Sequence, residues 1–284
     1  MLCMETWSLV NGVKIPKVGL GTWQLTDRKL LEEIVPFAYK LGYSMFDTAA
    51  AYGNEIAISK AIRNANIPRE SIFLSDKLWN TDRGYEAAQE ACKKSLKKLK
   101  TDFLDLYLVH WPASPALYSN WKDMNAETWR GLERLYQDGF VRAIGVCNFK
   151  KHQLLALMKE ASFMPMVNQV ELHPGMPQEE IVAFCSENHI LVEASSPLGN
   201  GKILQNPRLC RIAEERKRTV AQICLQWAVR KGITVIPKTG SPARLKENVD
   251  IFDFTLTEAE IMEIDTLAYC GGIGLDSDTV TEFG

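Results

Sequence analysis

Apolar residues in this chain fall into two alternating patterns. Short unbroken runs, such as YSMFD (43–47), SIFLSDK (71–77) and FLDLYLVH (103–110), are separated by longer stretches of helical spacing. Continuous runs of this length fit strands buried on both faces. The same reading applies to VGLGTW (18–23), VRAIGVC (141–147), MVNQVEL (166–172), ILVEASS (190–196) and ITVIPK (233–238). The helical stretches lie near 28–41, 54–65, 85–98, 125–138, 150–161, 178–188, 207–231 and 241–267, one after each run. Ahead of them, WSLV, the turn Asn11-Gly12 and VKIPKV predict a short hairpin.

Eight strand–helix alternations predict a parallel sheet with crossover helices. Eight units favour closure into a (β/α)₈ barrel over an open doubly wound sheet. No linker or composition shift divides residues 1–284, so the expectation is a single domain. The longer connections, 111–124, 198–206 and the tail from 268, are candidates for a substrate rim. The glycine-rich GGIGLDSD (271–278) is expected to fold over the mouth.

Charge and cysteine usage narrow the function. Thirty-three Lys and Arg against 35 Asp and Glu give no field that would suggest nucleic acid or a membrane surface. No apolar stretch approaches the roughly 18–20 residues of a spanning helix. The first residues lack the basic and apolar regions of a signal peptide. Seven scattered cysteines without a CxxC fit reduced thiols in a cytoplasmic protein. The four histidines show no metal-site spacing, so no metal is expected.

Polar residues close the runs. Asp47, Lys77 and His110 end three of them, and Tyr52 follows Asp47 by five positions. The carboxyl ends of barrel strands share one face, where such enzymes place their chemistry. A phenol is a poor acid at neutral pH. A nearby ammonium stabilises its phenolate, a carboxylate fixes that ammonium, and an imidazole can orient a carbonyl oxygen. The set suits a reaction that builds negative charge on a carbonyl oxygen and then protonates it.

The chain resembles the aldo-keto reductase family. The resemblance rests on GLGTWQ (19–24), FDTAAAYGNE (46–55), DKLW (76–79), LVHWP (108–112), GVCNF (145–149), NQVELHP (168–174), SPLG (196–199) and IPKTG with RLKEN (236–248). It implies a (β/α)₈ barrel, no metal, and hydride transfer from a nicotinamide to an aldehyde or ketone. Tyr52 would be the general acid, Lys77 its partner, Asp47 the partner of that lysine, and His110 the rest of an oxyanion pocket.

For the cofactor, the resemblance implies Asn148 and Gln169 on the carboxamide, and Ser196 and Leu198 along the pyrophosphate. Lys238, Thr239, Arg244, Glu247 and Asn248 fall at the adenosine end. Gly21, Thr22, Trp23, Asp47, Cys147 and Ser195 complete the cofactor set. Lys238 and Arg244 beside a helix start suit the ribose 2′-phosphate, so NADPH is the expected cofactor. A dinucleotide fingerprint at 19–24 is rejected, because no third glycine stands at 24.

Two positions depart from the family pattern: Cys147 replaces a serine, and Ser195 replaces an aromatic that stacks on the nicotinamide. Trp23, Trp79 and Trp111, with Tyr52 and His110, suggest an apolar substrate pocket, which Tyr118 and Trp121 could join. The expected substrates are small aldehydes, dicarbonyls or sugar-derived ketones, and the expected state is a monomer. The alternatives are a reductase that accepts NADH and a cofactor-binding sensor with little turnover.

Overall fold

A computed structural model describes residues 5–281. Strands β1 (Thr6–Ser8) and β2 (Lys14–Pro16) form an antiparallel hairpin through the Asn11-Gly12 turn. Gly12 takes φ 86°, and its N–H donates to the Leu9 carbonyl at 2.8 Å. Asn11 donates to the carbonyl of Arg142 at 2.9 Å. Arg142 precedes a barrel strand, so the hairpin lies at the amino-terminal end of the barrel.

Eight parallel strands follow in sequence order: β3 (Leu20–Gly21), β4 (Met45–Asp47), β5 (Phe73–Leu78), β6 (Leu106–Val109), β7 (Ile144–Cys147), β8 (Val167–Glu171), β9 (Leu191–Ser195) and β10 (Thr234–Val235). Each pairs with its sequence neighbours. The two ends of this sheet also meet. Gly19 N–H donates to the Val235 carbonyl at 2.9 Å and Val235 N–H to the Lys17 carbonyl at 3.0 Å. Parallel bridges join Val18 to Val235 and Gly21 to Lys238. The sheet is therefore a (β/α)₈ barrel, as the alternation predicts. The seam explains Gly21: a Cβ there would sit 2.5 Å from the Ile236 carbonyl oxygen.

The helices cover the strands. They are α1 (Arg28–Lys40), α2 (Glu55–Asn64), α3 (Tyr85–Leu99), α4 (Trp121–Gln137), α5 (Lys151–Met158), α6 (Glu179–Glu187), α7 (Pro207–Arg216), α8 (Val220–Arg230), α9 (Pro242–Val249) and α10 (Glu258–Asp265). The two long stretches at 207–231 and 241–267 each divide into two helices. The first break has a local cause: Lys217 takes a left-handed φ of 54°, and Thr219 then opens α8 with a reciprocal cap to Gln222. α4 starts four residues earlier than the apolar spacing predicts. Trp121 is thereby drawn into the helix, where its ring meets His152 edge-on at 6.0 Å.

Strand side chains alternate between the barrel interior and the helices. Phe46, Met45 and Tyr107 on the strands are fully buried, as are Trp129 of α4 and Trp227 of α8. Burying such side chains is worth roughly 1.5–3 kcal/mol each. Lys77 is also fully buried, a position a charge holds only when paired. Among the described residues no helix is long and apolar enough to cross a membrane.

Candidate active site

The carboxyl ends of the strands open into one cavity of about 1070 Å³. Of the residues expected there, Gly21, Trp23, Asp47, Tyr52, Trp79, His110, Trp111, Asn148, Gln169, Ser195, Ser196, Leu198, Lys238, Thr239, Arg244, Glu247 and Asn248 line it. Thr22, Lys77 and Cys147 lie beneath the lining. Thr22 donates its hydroxyl to the Asp47 carbonyl at 2.8 Å, which ties β3 to β4. Tyr118 and Trp121 do not reach the cavity: the Arg83 guanidinium lies 5.8 Å over the Tyr118 ring, while Trp121 packs on His152.

Lys77 is the centre of the site. Its Nζ lies 2.6 Å from Asp47 Oδ1, 2.9 Å from the Thr48 carbonyl and 3.4 Å from Tyr52 Oη. Asp47 is held in turn. Ser75 donates to its Oδ2 at 2.9 Å and Gln169 donates to the same oxygen at 3.3 Å. β5 carries Ser75 and Lys77 two residues apart, so strand alternation turns both into the barrel. Tyr52 arrives from a one-turn 3₁₀ helix, Ala50–Tyr52, that ends at Gly53 in a left-handed conformation. The Tyr52 ring meets His110 edge-on at 5.7 Å, and Trp79 meets His110 edge-on at 5.1 Å.

Burial pulls Lys77 down, but Asp47, followed by Tyr52, more than offsets it and holds the ammonium above its ordinary value. Burial pushes the Tyr52 phenol up to about 12 against the opposing charge of Lys77. The expected lowering by the ammonium is thus present but is outweighed by desolvation. Burial, helped by Lys77, holds His110 well below the usual imidazole range, so it is neutral at pH 7. Within this cluster the Lys77 ammonium pairs with Asp47, and at neutral pH Tyr52 and His110 beside it are uncharged.

Two strand ends bend to aim their side chains. Asn148 takes φ 62° and Ser196 φ 46°, both in the left-handed region that non-glycine residues rarely occupy. Asn148 donates to the His110 carbonyl at 3.0 Å. Its amide is thus fixed between β6 and β7, at the edge of the cavity.

The cavity runs from Trp79 and Trp111 at one end to Lys238, Arg244 and Asn248 at the other. Lys238 and Arg244 are exposed, and no ion pair engages either among the described residues. Ser241 caps α9 between them. A cavity lined by two strand-end amides, Asn148 and Gln169, and by two cations, Lys238 and Arg244, suits a phosphorylated dinucleotide.

Sequence reasoning missed several groups. Ser75 and Thr48 brace the charged pair, and Glu193 lies under Gln169. The tail supplies Ile273 and Leu275 to the wall. Glu171 accepts the N–H groups of Ile273 at 2.6 Å and Gly274 at 2.8 Å, so the tail is pinned across the mouth. Acidic residues inside two apolar runs, Glu171 in MVNQVEL and Glu193 in ILVEASS, were the available signal.

The sequence pattern of the Aldo/keto reductase family matches residues 17–268. A glyoxal reductase of Bacillus subtilis (strain 168) is 43% identical over 274 residues, which cover 96% of each chain. Among solved structures, an aldo/keto reductase from Brucella melitensis superposes with a TM-score of 0.86 at 45% identity, covering 92% of this chain and 98% of that one. A Bombyx mori aldo-keto reductase, solved in complex with NADP, gives a TM-score of 0.85 at 33% identity and 93% coverage of each chain. With the closed barrel and the Asp47–Lys77–Tyr52–His110 cluster at its mouth, these matches mean that the chain belongs to the aldo/keto reductase family and is an oxidoreductase acting on carbonyl or alcohol groups.

Proposed function

We propose that this chain reduces small uncharged aldehydes and dicarbonyls to alcohols with NADPH, and that Tyr52 is the general acid. The observation that carries this reading is the placement of Lys77 Nζ, 2.6 Å from Asp47 and 3.4 Å from Tyr52 Oη, next to a neutral His110.

The bound dinucleotide supplies a hydride to the carbonyl carbon. The residues handle the oxygen. Tyr52, held protonated at neutral pH by burial, keeps a proton in place until charge builds on that oxygen. Lys77 stabilises the phenolate left behind, and Asp47 keeps Lys77 fixed and charged. A neutral imidazole can donate one hydrogen bond to the developing oxyanion without presenting a competing charge. Trp23, Trp79, Trp111, Ile273 and Leu275 exclude water around the reacting end.

Asn148 and Gln169 are suited to the nicotinamide carboxamide, Ser196 and Leu198 to the pyrophosphate, and Lys238 and Arg244 to a ribose 2′-phosphate. The two cations among the described lining residues, Lys238 and Arg244, lie at that far end, and Lys77 beside Tyr52 is already paired with Asp47, so a substrate carboxylate at the reacting end would find no unpaired cation. This supports uncharged carbonyls, as does the likeness to a glyoxal reductase.

The test is NADPH oxidation with a dicarbonyl and an activated aromatic aldehyde, repeated with NADH. Turnover with kcat/KM at least about tenfold higher for NADPH is expected, since one charge-assisted contact is worth about 1.5–3 kcal/mol. Equal use of NADH would remove Lys238 and Arg244 as phosphate ligands.

A further inference from the structure

Gln169 sits between two carboxyl groups. Its Nε2 donates to Asp47 Oδ2 at 3.3 Å on one side and to Glu193 Oε1 on the other. The register of the sheet sets this up. Cys147, Gln169, Glu193 and Thr234 are aligned across β7, β8, β9 and β10, so they form one row on the barrel interior. Glu193 is fully buried in that row, directly beneath the lining.

A primary amide has two hydrogens on nitrogen and none on oxygen. In Gln169 both hydrogens have acceptors inside the barrel, Asp47 and Glu193. The remaining polar atom of the side chain, Oε1, is left for the cavity that Gln169 lines. With Glu193 replaced by an apolar side chain, only the longer contact to Asp47 would oppose an amide flip. The flipped form would present N–H groups to the cavity instead of an acceptor.

Glu193 can play this part when ionised, and also when protonated on Oε2, because Oε1 then still accepts. Burial first, with Asp47 adding to it and Lys77 opposing it, pushes its carboxyl up to about 8. The Cys147 thiol in the same row is held well above its ordinary range, mainly by burial. Both shifts disfavour added charge in the row, and Lys77 pairs with Asp47.

We propose that Glu193 is a positioning residue: together with Asp47 it locks the Gln169 amide so that only the carbonyl oxygen of Gln169 is offered to the N–H of a nicotinamide carboxamide. This rests on the assignment of Gln169 to the carboxamide made above. No step of the reaction passes through Glu193. Its effect is on which cofactor headgroup the barrel accepts.

The test compares dissociation constants, read from tryptophan fluorescence, for NADP⁺ and its 3-acetylpyridine analogue, which lacks the amide N–H. Wild type should bind NADP⁺ about tenfold more tightly, the scale of one well-placed hydrogen bond. Glu193→Gln keeps an acceptor and should retain that preference. Glu193→Leu should bring the ratio close to one, and Glu193→Met serves the same purpose if the leucine variant does not fold. Gln169→Met is the control and should also erase the ratio. A wild-type ratio in Gln169→Met would show that Gln169 does not contact the carboxamide, which overturns the underlying reading. Loss in Gln169→Met with the preference intact in Glu193→Leu would overturn the positioning role alone. Loss in Glu193→Gln would overturn it too, since an acceptor at 193 would then not suffice. A merely structural role for Glu193 would weaken both cofactors alike and leave the ratio unchanged.

Discussion

At Ser195 the cavity wall is polar where the family pattern places an aromatic ring. The aromatics among the described lining residues are Trp23, Tyr52, Trp79, His110 and Trp111, all from the β3 to β6 side. Ser195, Ser196 and Pro197 form the opposite wall. An aromatic stack is worth about 0.5–1.5 kcal/mol, so Ser195→Tyr should tighten NADPH binding by a factor of about 2–13. A fluorescence titration checks this, and an unchanged constant would mean the wall is already complete. Single residues were also the most legible part of the cavity in the sequence. Asp47, Lys77 and His110 stood out because each closes an apolar run, where a charge needs a reason. Tyr52 was legible only through its motif, because a one-turn 3₁₀ helix has no periodicity to read. The braces Ser75 and Thr48 were hidden, because they are small polar residues whose role depends on strand register.

Between elements, the most consequential contact joins the end of β8 to the tail. Glu171 and Ile273 are 102 positions apart, a distance no local pattern spans. Burial raises the Glu171 carboxyl, but His173 and the N–H groups of Ile273 and Gly274 outweigh it and hold it below its ordinary value. Gly272 at φ 109° makes the approach possible: a Cβ there would fall 2.1 Å from Glu171 Oε1. Lys150 adds a second anchor through Asp276 at 2.5 Å and Asp278 at 2.9 Å. Glu171→Ala should free residues 271–275, raising the rate of limited proteolysis there at least about tenfold, since two charge-assisted bonds are lost. KM for small carbonyls should rise with it, because Ile273 and Leu275 leave the wall. Unchanged cleavage would show that Lys150 alone holds the tail. The glycine-rich composition of the tail led to the expectation that it folds over the mouth, but the clasp by Glu171 depends on a contact no local pattern displays.

For the molecule as a whole, alternation of strand and helix was enough to name the barrel, because eight units leave few other closures. It could not give the buried charge pattern, which depends on which strand face turns inward. Asp76 illustrates this: it follows Ser75 on β5 but faces the helices. Burial, then the charge of Glu55, pushes its carboxyl up to about 8. A folded pKa above the unfolded value means that the folded state holds the proton more tightly. This stability is complete below about pH 4 and is lost as pH rises toward about 8. Asp76→Asn keeps an acceptor for the Lys77 N–H, now at 2.7 Å from Asp76 Oδ1, and cannot ionise. Its urea midpoint relative to wild type should therefore increase between about pH 5.5 and about pH 8. A constant difference would mean that Asp76 does not titrate in that range.

The proposed proton donor, Tyr52, sits beside a Lys77 already paired with Asp47. The direct test is Tyr52→Phe, in which the ring is kept and only the hydroxyl is lost. NADPH oxidation with a dicarbonyl should fall by at least about 10²-fold, the usual contribution of a general acid. NADPH binding, followed by fluorescence, should stay within about twofold of wild type. Wild-type turnover in this variant would contradict the account, because the proton would then come from another group and the 3.4 Å contact between Lys77 and Tyr52 would have no catalytic role.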